Sequence, residues 1–303
     1  MSLTRMLSGT SEKDILFQNT IKKIVPTQNN LKTYSNKKPF SKEFKMTSPP
    51  LLNTLEQAGI TGTAFDYLLR FMVAKYIDNT ILKDFATQDL VCKYAFIYLK
   101  YYVKDINMYG EKYEKIMDDI LDFIHNDDND IEKFKDIITG SLYLAKLESI
   151  VRGNSILNKM NVNNIDKEIL YFDDRDIKNQ LYFLCKDFER VFIKGNILKK
   201  DSIVEFNPMF NKCSKLVNGA DADICIDDVL YDIKTTKSYS YKWKDIAQIT
   251  SYYLFSQIER NLDVHRIAIY LARYGEIIYF DVKDFNKNDK LETINKIKEI
   301  IGY

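Results

Sequence analysis

The sequence predicts an α/β protein, because two different hydrophobic periods divide the chain. From Leu51 to Asp187 apolar residues recur at three- and four-residue intervals, which is the spacing of amphipathic helices. After about Phe188 the period changes to two, which is typical of short strands joined by polar turns. Two more helical segments, Lys244–Asn261 and Lys290–Ile301, lie among and after these strands. Strands that alternate with helices indicate an α/β core.

Each predicted element follows from its local pattern. The helical segments start after Gly62 and Thr63 and cover residues 65–77, 89–103, 111–124, 131–151 and 176–187. The strands cover residues 191–193, 203–206, 222–226 and 229–233, and residues 266–271 and 276–280 form a hairpin about Gly275. Residues 75–187 therefore form one large helical insertion or a helical subdomain.

Composition favours a soluble globular protein and indicates no particular partner. The chain has 303 residues, 46% of them apolar and 29% charged, with a net charge of +1. No stretch reaches the roughly 18–20 uncharged apolar residues that span a bilayer. Arg5 and the polar residues after it interrupt the apolar run that a signal peptide requires. We therefore expect a cytoplasmic protein without a membrane partner, and its oligomeric state stays open.

The scarce residues exclude several kinds of site. The four cysteines lie far apart with no C-x-x-C pair, which argues against a zinc finger or a local iron–sulfur centre. His125 and His265 are the only histidines, so a histidine-rich metal site is not expected. No G-x-x-x-x-G-K-[ST] motif is present, which excludes a P-loop ATPase. Chemistry must therefore come from carboxylates, lysine, tyrosine or a bound metal.

The N-terminal residues, 1–48, are predicted to form a basic arm. Residues 1–46 contain nine Lys or Arg and three acidic residues, a balance of +6. Lys37-Lys38-Pro39 and Pro49-Pro50 would break any long helix. A basic arm can lie along phosphates, and a solvated tail or docking segment is the alternative.

The clearest chemical pattern lies in residues 219–236. Two short strands joined by a tight turn form a hairpin, which brings Asp223 and Asp232 close together across the ladder. Asp232 and Lys234 are two residues apart in one strand, so their side chains share a face. Two neighbouring carboxylates repel each other unless a cation lies between them. Mg²⁺ prefers oxygen ligands, so the pattern predicts a divalent-metal site.

This Asp…Asp-Ile-Lys arrangement resembles the metal-binding core of the PD-(D/E)XK nuclease superfamily. Gln248 and Tyr252 form a Q-x-x-x-Y motif on one face of the following helix, which is similar to the RecB-like branch. Upstream, residues 62–67 resemble that branch's G-x-x-x-H helix, with Asp66 at the position where His is usual. Glu189 is an alternative upstream acid.

The resemblance implies a restriction-endonuclease-like fold: a mixed sheet core flanked by helices, over residues 49–303, with the insertion at about 75–187. It also implies Mg²⁺- or Mn²⁺-dependent hydrolysis of phosphodiester bonds, in DNA rather than RNA, although the residues themselves do not choose between the two. The implied catalytic residues are Asp223, Asp232, Lys234, Gln248 and Tyr252, and the implied metal ligands are Asp223, Asp232, the backbone carbonyl of Ile233 and Asp66.

Several alternatives stay open at this stage. A lysine–aromatic cluster follows the motif and would bind nucleic acid or form a solvated loop; it consists of Lys237, Lys242, Trp243 and Lys244. Asp66 and Arg70 are spaced to form a helix salt bridge instead of a metal site. The fold is also compatible with a catalytically silent nucleic-acid-binding module. A nuclease that depends on a separate ATPase, helicase or other protein partner is a further possibility.

Overall fold

The computed structural model describes residues 2–50, 54–126, 130–152 and 164–303. These residues form eleven α-helices and one six-stranded sheet. The helices are α1 (Leu3–Met6), α2 (Glu12–Ile21), α3 (Leu55–Tyr76), α4 (Thr80–Phe85), α5 (Ala95–Leu99), α6 (Ile106–His125), α7 (Ile131–Arg152), α8 (Arg175–Phe188), α9 (Asn211–Leu216), α10 (Trp243–Glu259) and α11 (Lys287–Ile301). The strands are β1 (Lys32–Thr33), β2 (Val204–Phe206), β3 (Ile224–Ile226), β4 (Val229–Lys234), β5 (Arg266–Leu271) and β6 (Glu276–Asp281). The α/β class is therefore confirmed, with a mixed open sheet.

The chain folds as two compact units. The sheet unit comprises residues 1–46 and 203–303, and the helical unit comprises residues 47–202. The helical unit is thus inserted between two segments of the sheet unit, as the helical periodicity indicates. Its observed limits are wider than the predicted 75–187.

The sheet has the order β1-β6-β5-β4-β3-β2. Strands β4 and β5 are parallel, and all other neighbouring strands are antiparallel. A parallel pair needs a crossover connection, and α10 provides it between β4 and β5, packing against both strands. This β-α-β arrangement fixes which face of α10 meets the carboxyl end of β4.

The core of the sheet unit lies between the sheet and its helices. The buried face of α10 contributes Ile249, Tyr253 and Phe255, while Ile267 and Ile269 of β5 point into the same cluster. N-terminal residues also contribute, since Phe17 and Ile21 of α2 belong to this core and are fully buried. Their burial removes apolar surface from water, which stabilises the unit by about 25 cal/mol per Å².

The N-terminal residues are therefore an integral part of the sheet unit, whereas the sequence predicts an arm. Ser11 and Asp14 cap α2 reciprocally, so this helix begins with a complete capping box. Strand β1 pairs with β6 through Lys32 opposite Tyr279 and Thr33 opposite Ile278. The prolines limit the length of helices here but leave the segment free to pack.

The helical unit is organised around α3 and α7, which pack along each other. Most of α7 is buried, because α3, α6 and α8 all contact it. Helix α3 begins at Leu55, so its predicted start at Gly62 is wrong. Thr54 and Gln57 form a capping box at the true start, with Gln57 N 3.2 Å from Thr54 Oγ1.

Most of the predicted strands are confirmed, but the prediction of a strand at residues 191–193 is wrong. Residues 189–193 continue from α8 as a wider helical turn. Phe188 and Phe192 stack at a centroid distance of 4.5 Å on one buried side of this turn. Four-residue spacing places both rings together only in a helical backbone, so ring packing outweighs the strand preference of Val191 and Ile193.

Within the described residues, none of the helices combines the length and apolarity needed to cross a membrane.

Candidate active site

Asp223 and Asp232 come together because of the register of the β3–β4 hairpin. Ile224 pairs with Tyr231, so continuing the antiparallel ladder by one residue places Asp223 opposite Asp232. Asp223 Oδ2 accepts a hydrogen bond of 2.5 Å from the backbone N–H of Ile233, next to Asp232. The hairpin therefore brings the two predicted carboxylates to one place.

The turn that sets this register is itself constrained. Asp227 has a positive φ of 53°, which allows the chain to reverse within two residues. Its side chain accepts a 2.9 Å hydrogen bond from Ile203 N, and its own N–H donates to Ile203 O at 2.7 Å. Asp227 thus serves the turn, in agreement with its place outside the predicted site.

Asp232 begins a continuous chain of polar side chains. Asp232 is only 2% exposed, and its Oδ2 lies 2.8 Å from Lys234 Nζ. Lys234 Nζ also donates to Gln248 Oε1 at 3.1 Å. Gln248 Nε2 donates in turn to Tyr252 Oη at 2.8 Å. Four of the five predicted catalytic side chains are therefore linked directly, and the fifth, Asp223, lies across the ladder.

Helix α10 carries the last two side chains of this hydrogen-bonded series, Gln248 and Tyr252. Gln248 and Tyr252 are four residues apart, so they lie on the helix face turned towards β4. Tyr252 is 4% exposed, and its ring stacks on Phe210 at a centroid distance of 5.4 Å. The phenol is fixed by packing, and its hydroxyl in turn fixes the orientation of the Gln248 amide.

The electrostatics of the pair follow from its burial. Loss of solvent, followed by the charge of Asp232, raises the pKa of Asp223 to about 7. Burial also raises the pKa of Asp232, although Lys234 acts in the opposite direction. Burial alone would lower the pKa of Lys234, but the Asp232 and Asp223 carboxylates outweigh it and raise that pKa. Lys234 therefore stays charged at neutral pH.

No protein-family model, curated protein or solved structure matches this chain. The family resemblance consequently depends on the motif residues alone.

Two further aspartates act on the site, and the sequence pattern did not single them out as site residues. The charge of Asp245 raises the pKa of both Asp232 and Lys234. Asp245 precedes Gln248 by three residues on α10, so this i, i+3 spacing was the available signal. Asp221, which is exposed, has a smaller effect of the same sign on the pKa of Asp223.

The donor set suits a hard divalent cation. Among the residues that the structure describes, no group of three or more His, Cys, Asp or Glu side chains is arranged to hold a metal ion. Asp223 and Asp232 form a pair of carboxylates, and Mg²⁺ commonly takes one or two carboxylates together with water and substrate phosphate. Burial and the Asp232 charge raise the pKa of Asp223 even though Lys234 acts in the opposite direction, so a further cation would be needed to hold both carboxylates ionised.

The upstream acids lie in the helical unit. Asp66 is exposed on α3. Glu189 forms ion pairs with Lys186 at 3.1 Å and Lys194 at 3.0 Å, and although burial acts against them, these lysines lower its pKa. The predicted role of either acid as a third metal ligand remains a prediction.

Two of the predicted nucleic-acid-binding residues, Lys237 and Lys242, lie on the segment that joins β4 to α10, and the other two, Trp243 and Lys244, begin α10. Lys237, Lys242 and Lys244 are exposed, and Trp243 is half-buried. Lys242 Nζ donates to Thr236 Oγ1 at 3.3 Å. Thr236 follows Lys234 by two residues. The lysines thus follow the carboxylate site directly along the chain.

An aromatic cluster attaches N-terminal residues to this segment. The ring of Tyr239 lies 4.7 Å from Phe44, 5.5 Å from Phe40 and 4.7 Å from Tyr274. Tyr241 Oη donates to Pro26 O at 3.0 Å. Segments 36–46 and 235–244, which are distant in sequence, are therefore neighbours in the sheet unit.

Proposed function

We propose that this protein is a divalent-metal-dependent nuclease of the PD-(D/E)XK type, most similar to the RecB-like branch, that hydrolyses phosphodiester bonds in DNA. The observation that carries the proposal is the linked set Asp232–Lys234–Gln248–Tyr252, with Asp223 opposite Asp232. Five residues chosen from a sequence pattern alone meet at one hairpin and one helix face. A surface distribution of unrelated charges would not produce this chain of contacts.

Asp223 and Asp232 would hold Mg²⁺ or Mn²⁺, together with the carbonyl oxygen of Ile233. When bound, the ion would supply a water of lowered pKa and offset negative charge on the transferred phosphate. Asp223 must lose its proton for this role, and its raised pKa makes the free site sensitive to pH near neutrality. Mn²⁺ is the simplest probe because it binds the same oxygen ligands.

Lys234 would act on the phosphate or on the attacking water. Its side chain is 23% exposed, so it is partly accessible while its ammonium is held by Asp232 and Gln248. A positioned cation stabilises charge that develops in the transition state and needs no reorganisation during the reaction. Gln248 and Tyr252 position this lysine, and their contribution is geometric.

DNA would be bound mainly through its phosphates. Segments 36–46 and 235–244 together carry seven lysines, and Glu43 is the one acidic residue in them. All seven lysines are exposed: Lys37, Lys38, Lys42, Lys45, Lys237, Lys242 and Lys244. Such a basic surface neutralises backbone phosphates without reading sequence. Segment 36–46 supplies four of the seven lysines.

The decisive experiment is cleavage of labelled DNA. Linear duplex, circular duplex and single-stranded DNA, and an RNA, would be incubated with Mg²⁺, Mn²⁺ or EDTA. We expect metal-dependent cleavage that falls by about a hundredfold or more in Asp232→Ala and Lys234→Ala. Asp228→Asn is the matched control, since Asp228 is an exposed aspartate of the same hairpin.

The outcome separates the main proposal from one alternative. The 2.8 Å ion pair between Lys234 and Asp232 neutralises the buried carboxylate without a metal, which would suit a catalytically silent or partner-dependent binding module. Such a module would retain DNA without cutting it, and Mn²⁺ would not raise its melting temperature. A melting-temperature increase with Mn²⁺ that Asp232→Ala abolishes would support the metal site.

A further inference from the structure

The helical unit exposes a row of large side chains on one helical face. Continuous helical turns run from Val91 to Tyr102, through the 3₁₀ segment Val91–Tyr94, α5 and the turn after it. The row is spaced at i, i+3, i+4 and i+7, which places it on a single face. It consists of Tyr94 (57% exposed), Ile97 (55%), Tyr98 (37%) and Tyr101 (75%).

The opposite face of these turns is anchored in the helical unit. Cys92, Ala95 and Leu99 are fully buried. Cys92 N donates to Tyr67 Oη at 3.4 Å, and the ring of Phe96 meets Tyr113 edge-on at 5.5 Å. The exposed row is therefore held on a fixed support, which reduces the entropy that a ligand must remove on binding.

Lys93 and Lys100 each directly precede a tyrosine of this row, and Lys104 follows the last turn. Lys93, Lys100 and Lys104 are exposed, and residues 90–104 contain no acidic residue. Lys100 Nζ lies 4.9 Å from the centre of the Tyr101 ring. Residues 93–104 carry three cations and three accessible phenol rings, and the exposed acids Asp89 and Asp105 lie outside them. This combination is complementary to a ligand that carries both negative charge and flat π-surfaces.

We propose that this tyrosine–lysine face, residues 93–104, binds single-stranded nucleic acid. Unpaired bases would stack on Tyr94, Tyr98 and Tyr101, and lysines would neutralise the intervening phosphates. A duplex presents its phosphates but not its base faces, so it would use the lysines alone. The inference goes beyond the proposed nuclease activity, because it concerns a separate surface in the helical unit and requires no metal.

Binding of a fluorescent single-stranded oligonucleotide, measured by anisotropy in EDTA, tests the role of the rings. Tyr94→Ser with Tyr101→Ser removes two exposed rings, and Tyr171→Ser with Phe183→Ser is the matched control. The control rings are 63% and 55% exposed and lie in the same unit. We expect the dissociation constant for single strands to rise about tenfold or more in the first variant only. Duplex binding should change far less.

A second pair of variants tests the charges. Changing Lys93, Lys100 and Lys104 to Gln should reduce the salt dependence of single-strand binding by about two in log–log slope. The same change at Lys115, Lys167 and Lys199, which are also exposed residues of the helical unit, should leave the slope unchanged. Both binding measurements are made in EDTA and need no metal, so failure of the nuclease proposal would not affect this result.

Three results would overturn the proposal. One is an equal loss of affinity in the tyrosine variant and its control. Another is displacement of the oligonucleotide by polyglutamate of matched charge, which would show that the face recognises anions without bases. The third is a self-associating wild type whose Tyr94→Ser, Tyr101→Ser variant becomes monomeric in sedimentation while binding DNA normally. That result would make the face an interface between copies of this chain.

Discussion

Gln248 joins Lys234 to Tyr252: its Oε1 accepts from the lysine at 3.1 Å, and its Nε2 donates to the phenol at 2.8 Å. An amide accepts at its oxygen and donates at its nitrogen, so this one neutral side chain serves both partners. The helix after β4 thus controls where the strand's ammonium lies. A glutamine in this position is expected to affect the rate of cleavage more than the binding of metal.

Replacing this amide should separate positioning from metal binding. We expect Gln248→Met to lower the cleavage rate about 10- to 100-fold, which is the effect usual for residues that orient a ligand or catalytic group. The Mn²⁺-dependent rise in melting temperature should persist. Gln248→Glu keeps an acceptor for Lys234 and should retain more activity than Gln248→Met. Equal activities in the two variants would contradict a positioning role.

Removing Lys234 alone from the Asp232–Lys234 pair should destabilise the fold more than removing both charges. Lys234→Met leaves a buried carboxylate without its partner, and we expect the free energy of unfolding in EDTA to fall by about 2–4 kcal/mol. Adding Asp232→Asn to that variant removes the unpaired charge and should restore part of the loss. Denaturant unfolding of the two single variants and the double variant measures the coupling. Additive effects would show that the ion pair contributes nothing.

Stability without metal should decline as the pH rises towards neutrality. The folded-state pKa of Asp223, about 7, lies above its ordinary value of 3.8, so folding favours the protonated carboxyl. The resulting stability is complete below about pH 4 and is lost as the pH rises through 7, on the order of a few kcal/mol. Asp223→Asn should remove this component. The exposed Asp201→Asn is the control, and an unchanged pH profile in Asp223→Asn would refute the assignment.

The basic surface near the hairpin should control the salt dependence of duplex binding. We expect Lys38→Gln, Lys42→Gln and Lys45→Gln together to reduce the log–log slope for duplex DNA by about two to three. The control variant changes the exposed lysines Lys215, Lys283 and Lys287 of the same unit, with the same loss of charge. Filter binding in EDTA from low to moderate salt gives both slopes. Equal slopes in the two variants would exclude segment 36–46 from the DNA-binding surface.

Local patterns were sufficient to predict the hairpin and its residues. Alternation of apolar and polar residues identifies β3 and β4, and a two-residue turn fixes their register, so Asp223 and Asp232 could be placed opposite each other. The four-residue spacing of Gln248 and Tyr252 similarly assigns them to one helix face. These inferences depend on contacts between residues close in sequence, where periodicity is informative.

Long-range contacts could not be predicted in the same way. Strand β1 has only two residues, and it forms because it pairs with β6 much later in the chain. Lys32 pairs with Tyr279, 247 positions away, and Thr33 pairs with Ile278, 245 positions away. No local signal in a basic, proline-containing segment indicates such a partner.

The pairing of β1 with β6 also has a consequence for the order of folding during synthesis. The sheet unit cannot be completed until residues 276–281 have left the ribosome, whereas residues 47–202 are all available much earlier. Closing a loop of this length slows the formation of non-local contacts. The apolar residues Phe17 and Ile21 of the N-terminal segment therefore lack most of their native packing partners while most of the chain emerges.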